Sequence, residues 1–167
     1  MKSILHDAFA HHVWATERLF DTCVELTREQ LVADAPGTYG PIIATFHHLV
    51  IADAWYLSFY GDVPAPIGDD DRMSLAELKA VMTANGAAWL RLVDGAIGEL
   101  DADRDIVEQG DGWEFHALLG IRLAQVIHHG TDHRSQICTA LTSLGVEPPD
   151  IDVWAYGESV GRTWDVK

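Results

Sequence analysis

The chain has 167 residues, enough for one domain whose core closes without disulfides. Hydrophobic residues make up 48% and charged residues 22%, a globular rather than a disordered composition. With 11 Lys and Arg against 26 Asp and Glu the formal charge is −15, which repels a phosphate backbone and excludes nucleic-acid binding from the expected functions.

No apolar run approaches the roughly 20 residues of a membrane span, so no membrane partner is expected. The N-terminal stretch MKSILHDAFAHHVW is broken by Asp7 and three histidines and lacks a small-residue cleavage site. The expectation is a single domain over residues 1–167 in the cytoplasm. Cys23 and Cys138 lie far apart without a CxxC pattern, and read as core fillers rather than a disulfide or a metal site.

The first long helix is expected from about Ser3, as N-cap, to Leu26. Leu5, Phe9, Val13, Thr16, Phe20 and Cys23 form one stripe at a period of 3.6. Thr27 and Gln30 stand in capping-box register over a short TREQL segment. A second helix begins near Pro41 and runs, apolar almost all round, to Gly61. The segment GDVPAPIGDDDR reads as an exposed acidic loop. Ser74 and Glu77 cap a third helix through Ile97, in which Gly86 allows a close contact. Gly110-Asp111-Gly112 is placed to turn a short hairpin. The fourth helix is expected from about Phe115 to Leu144, stopped by Gly145 and the Pro148-Pro149 pair. In the tail, Trp154 and Trp164 are expected to dock on the body of the protein. Long amphipathic helices without strong strands make an all-α, antiparallel four-helix bundle with a short C-terminal extension.

Chemistry concentrates in the histidines. His129 and His133 are four residues apart, about 40° apart on one helical face, and Val126, Ile137, Ala140 and Leu144 share it. Two imidazoles so placed can converge on one ion, as in a helical HExxH, although the intervening GTD holds no glutamate. By themselves they read equally as a satisfied core pair. His128 points away. On the second helix His48 shares a stripe with Ala44, Ile51, Ala52, Trp55 and Phe59, and periodicity chooses only weakly between it and His47. Gln136, Asp132, Asp53 and Arg134 are candidates for supporting groups. Asp53 and Asp132 lie off the ligand face and read as solvated surface charge, and Arg134 reads as an exposed partner for an acid such as Asp152. His6, His11 and His12 read as surface or packing residues, and His116 as a residue at a helix start.

The stretches FAHHVWATERLFD, TFHHLVIADAWYL, VIHHGTDHRSQI and LGVEPPDIDVWAYG together resemble the DinB family and the related YfiT-like putative metal-dependent hydrolases. The H-G-x-x-H-R-x-Q run followed by the proline pair and aspartates is the most specific part. The resemblance implies an up-down-down-up four-helix bundle, often a homodimer, with three metal-binding histidines that map onto His48, His129 and His133. Many relatives carry Gly where Ser135 stands, and often Asn where His128 stands. Three imidazoles without a fourth protein ligand make an open site, the arrangement of catalytic centres. The implied cofactor is one divalent transition ion, Zn or Ni first, with Fe, Mn, Co or Cu also fitting imidazole. Relatives implied by the resemblance include bacillithiol transferases and a mycothiol-dependent maleylpyruvate isomerase. A small-molecule substrate is therefore expected, with a low-molecular-weight thiol as cosubstrate or with water in a hydrolysis. The contrasting expectation is a non-catalytic metal-binding protein.

Overall fold

A computed structural model describes residues 2–60, 73–95 and 101–166. The acidic loop expected at 61–72, and the third helix beyond Gly95, lie outside the described residues. The protein is mostly helical with one small sheet. Its elements are α1 (His6–Cys23), α2 (Arg28–Leu31), α3 (Ile42–Leu57) continued by a 3-10 turn (Ser58–Tyr60), α4 (Leu75–Gly95), β1 (Asp105–Gly110), β2 (Trp113–Leu118), α5 (Leu119–Ser143) and α6 (Val153–Ser159).

Several boundaries follow from local chemistry. Thr27 and Gln30 form the reciprocal capping box that opens α2. Before α4, the Ser74 N–H donates to Glu77 Oε2 at 2.7 Å and the Glu77 N–H donates to Ser74 Oγ at 3.3 Å. Gly145, at φ +74°, ends α5 in the left-handed conformation that a side chain would resist. Ser3 is not the expected N-cap: α1 begins three residues later, and the Ser3 N–H donates to Asp94 Oδ1 at 3.3 Å.

The hairpin pairs Asp105 with Leu118 through Gly110 with Trp113, and Gly112 turns it at φ +78°. It takes the first turn that sequence reading assigned to the fourth helix, so α5 starts at Leu119 rather than Phe115. The stretch Trp113–Leu118 is rich in aromatics and finds a pairing partner in β1, and tertiary pairing overrides a helical extension there. Buried Arg122 of α5 anchors the ribbon, forming an ion pair with Glu108 and donating to the Ile106 carbonyl at 3.1 Å.

Helices α1 and α3 each pack against both α4 and α5. Two apolar clusters fill the space between them. One gathers Leu19 and Phe20, Phe46 and Val50, Leu78 and Met82, with Ile137 and Leu141. The other gathers Phe9, Leu57, Trp89 and Val93 with Leu119, Leu123 and Val126. Gly86 lets α4 close on α1: an added Cβ would lie 2.6 Å from a Val13 methyl. Cys23 and Cys138 are both unpaired thiols.

Two expectations are corrected. The stretch Ile42–Tyr60, 19 residues, is by length and composition apolar enough to cross a membrane, and 50% of it is buried within the protein. The tail docks through Tyr156, which is buried and meets the rings of His11 and Trp14 edge-on, whereas Trp154 and Trp164 are 70% and 77% exposed. Trp154, two residues before Tyr156 on α6, points about 160° away from it.

Candidate metal centre

Helices α3 and α5 lie side by side, and their facing histidines meet at the border between core and solvent. His133 is buried, while His48 and His129 are half-buried. One nitrogen from each ring lies within 4.8 Å of the others. His129 Nε2 stands 3.1 Å from His48 Nε2 and 3.2 Å from His133 Nε2.

The proton positions can be worked out from one side chain. Gln136 Oε1 accepts the backbone N–H of Tyr39 at 3.2 Å, so that atom is the carbonyl oxygen. The same oxygen lies 2.9 Å from His133 Nδ1, which must therefore carry the ring proton. His133 Nε2 is left with its lone pair aimed into the cluster. A hydrogen bond of this kind would orient the ring as an imidazole ligand.

Electrostatics favour the same protonation state. Burial, followed by repulsion from His133 and His48, pulls the pKa of His129 down to about 4. Burial, followed by His133 and His47, lowers that of His48 as well. Neutral imidazoles are the ligating form. The spacing also fits an ion: tetrahedral zinc, with Zn–N of about 2.0–2.1 Å, sets ligand nitrogens about 3.3 Å apart.

The surroundings are aromatic. Tyr39 stacks on His48 with centroids 4.4 Å apart and meets His133 edge-on, and it is 55% exposed. On the other side Tyr56 approaches His129 edge-on at 6.3 Å.

The structure thus joins His48, His129 and His133, and it leaves His128 exposed and Asp132 on the surface as expected. His47 is buried outside the cluster. Other readings are overturned. Asp53 is 2% exposed, accepting from His12 Nε2 at 3.1 Å and from Trp89 Nε1 at 2.9 Å. Arg134 is also buried and donates to His12 Nδ1 at 2.9 Å rather than to Asp152. Burial lowers its pKa to about 10, which leaves it charged at neutral pH. The packing alternative holds for two histidines: His12 is wholly buried between Asp53 and Arg134, and His6 is buried against Asp94. His116 is a strand residue whose Nδ1 meets Asp105 at 2.6 Å.

The sequence did hold a signal for His12, which lies at i+3, i−4 and i−7 from Phe9, Thr16 and Leu19 on a core stripe. Tyr39 offered none, because a loop residue has no periodicity to betray its neighbours.

The model of the DinB family matches residues 1–165, nearly the whole chain. The chain belongs to the DinB family. No curated protein matches it. In this DinB chain the three rings brought together are supplied by the second helix and by the H-G-x-x-H-R-x-Q run.

Proposed function

We propose that the protein is a metal-dependent enzyme acting on small molecules, with His48, His129 and His133 holding one divalent transition ion, zinc or nickel. The observation that carries this reading is the convergence of three imidazole Nε2 atoms, with His129 Nε2 3.1 and 3.2 Å from the other two, beside a half-exposed aromatic rim. When bound, the ion supplies Lewis acidity and lowers the pKa of a neighbouring water or thiol.

The chain's own residues divide the remaining work. Gln136 holds the His133 proton on Nδ1, Tyr39 covers His48 from the loop side, and Tyr56 walls off His129. No protein thiol suits nucleophilic attack. Cys23 is fully buried, with its pKa pushed up to about 12, and burial raises that of Cys138 too. A thiol reaction at this centre therefore takes its sulfur from outside, which favours a low-molecular-weight thiol as cosubstrate. Hydrolysis is the related chemistry at the same open position.

The order of the two apolar clusters supports the up-down-down-up arrangement. Helices α1 and α5 run from the Phe9–Val126 cluster toward the Leu19–Ile137 cluster, and α3 and α4 run the opposite way. The homodimer belongs to this proposal through the family resemblance.

Cobalt-loaded protein tests the reading. Added 2-mercaptoethanol is expected to give a sulfur-to-cobalt charge-transfer band that His129→Ala lacks, and to react faster with 1-chloro-2,4-dinitrobenzene than in metal-free protein. No band at millimolar thiol removes thiol transfer and leaves hydrolysis. Failure to take up any divalent ion removes the enzyme reading altogether.

A further inference from the structure

The two apolar clusters are separated by a polar layer. On each long helix at least one buried polar residue falls between the two: His12 and Thr16 on α1, Asp53 on α3, Asn85 on α4, and His133 and Arg134 on α5. His12 is the hub of this layer. Its hydrogen atoms can be assigned from its partners alone. Asp53 Oδ1, a carboxylate oxygen 3.1 Å from Nε2, can only accept, so Nε2 carries a proton. Arg134 Nη1, 2.9 Å from Nδ1, can only donate, so Nδ1 is bare. A neutral imidazole is thus inserted between a buried guanidinium and a buried carboxylate.

Those two partners sit on the helices that carry the histidine cluster. Asp53 follows His48 by five residues on α3, and Arg134 follows His133 directly on α5. Asp53 is held a second time by Trp89 of α4, and Arg134 a second time by the His12 carbonyl at 3.3 Å and by Thr131 at 3.1 Å. Gly130 completes the seat. An added Cβ there would lie 2.4 Å from the His12 ring, so α5 rests directly on that imidazole.

We infer that His12 is a positioning residue for the metal centre, pinning the rotation of α3 against that of α5 through a residue of each helix that is not itself in the histidine cluster. The inference rests on the ligand set proposed above. Its physical basis is leverage. Side-chain nitrogens ride about 5–6 Å from a helix axis, so a rotation of about 20° carries them about 2 Å. Metal–ligand bonds tolerate about 0.2 Å. His48 is on one helix and His129 and His133 are on the other, so their meeting depends on the relative rotation of the two. His12 is hydrogen-bonded to both helices at once, through opposite edges of one rigid ring.

The test measures zinc affinity of the full chain by chelator competition at a temperature where circular dichroism shows each metal-free variant folded. His12→Leu is expected to weaken zinc binding at least about tenfold, as loss of an outer-sphere partner does. His12→Gln keeps one donor and one acceptor and is expected to restore most of that loss. Gly130→Ala keeps every polar group but forces α5 off the ring, and is expected to weaken binding and to shift the visible bands of the cobalt-loaded form. Met82→Ala, a cavity in the apolar cluster away from the layer, is expected to lower the melting temperature and leave zinc affinity unchanged.

Wild-type affinity in His12→Leu overturns the inference, as does a loss in Met82→Ala equal to that in His12→Leu. If His12→Leu does not fold, unchanged affinity in Gly130→Ala overturns it instead. A wild-type chain that binds neither zinc nor nickel fails the proposed ligand set, whereas normal wild-type binding with unaltered variants fails this inference alone.

Discussion

Gln136 and His133, one helical turn apart on α5, share a hydrogen bond of 2.9 Å that decides which nitrogen of the histidine is free. The same Gln136 oxygen takes the backbone N–H of Tyr39 at 3.2 Å, so the loop before α3 and the histidine cluster are set by one carbonyl. Gln136→Leu is expected to leave the fold intact and to weaken zinc binding by about 10–100-fold. Competition against a chromophoric chelator reads this out. Unchanged affinity would show that the tautomer is held some other way.

The cluster itself makes a stoichiometric prediction. The wild-type chain is expected to bind about one divalent ion. His48→Ala, His129→Ala and His133→Ala are each expected to abolish tight binding, because two imidazoles make a poor site. His128→Ala and His47→Ala are expected to retain it, since neither ring belongs to the cluster. Elemental analysis after gel filtration measures the outcome, and a dependence on His47 or His128 equal to that on His129 would contradict the assignment.

Protons act on the metal-free protein in a defined direction. His129 has a folded-state pKa near 4 against the usual 6.5, because burial and its two neighbours disfavour the charged ring. Above 6.5 both folded and unfolded chains hold this ring neutral, and it contributes no pH dependence. Between 6.5 and about 4 the unfolded chain takes up the proton that the folded chain refuses, so stability falls as pH falls. Below about 4 this contribution levels off. Urea melts of metal-free wild type and His129→Gln across that window are expected to show a shallower decline in the variant. Parallel curves would assign the pH dependence to other groups.

Helix contact at Gly86 is tight enough to be measurable. Gly86→Ala puts a Cβ 2.6 Å from a Val13 methyl, and overpacking of this kind costs about 1–3 kcal/mol. Helix propensity favours alanine by about 1 kcal/mol, so the net loss is expected at about 0–2 kcal/mol. Val13→Ala relieves the clash in the Gly86→Ala background, and the double variant is expected to be more stable than the sum of the two single changes. A thermal-melt double-mutant cycle with no coupling would show that the helices separate at no cost.

Much of the helix plan was legible in residues close together in the chain. The capping pairs Thr27–Gln30 and Ser74–Glu77 and the stop at Gly145 are local devices that work through backbone groups three or four residues away. His129 and His133 were legible as a pair for the same reason, since a helix of known pitch sets their separation. Where strand and helix compete for one segment, local signals no longer decide. Trp113–Leu118 joins the hairpin because β1, brought alongside, pairs its backbone.

By itself, then, the sequence determined the composition, the helical periodicity, the caps and, through its motifs, which three histidines to compare. Only the tertiary structure decided what Asp53, His12 and Arg134 are for. A charge on a helix reads as solvated until the residues facing it are known, and these three are separated by 41 and 122 positions along the chain. Burying any one of them alone would be costly; the cost is offset because α1, α3 and α5 deliver a bridging ring, an acceptor and a donor to one place. That compensation depends on helix packing, which no single stretch of sequence contains.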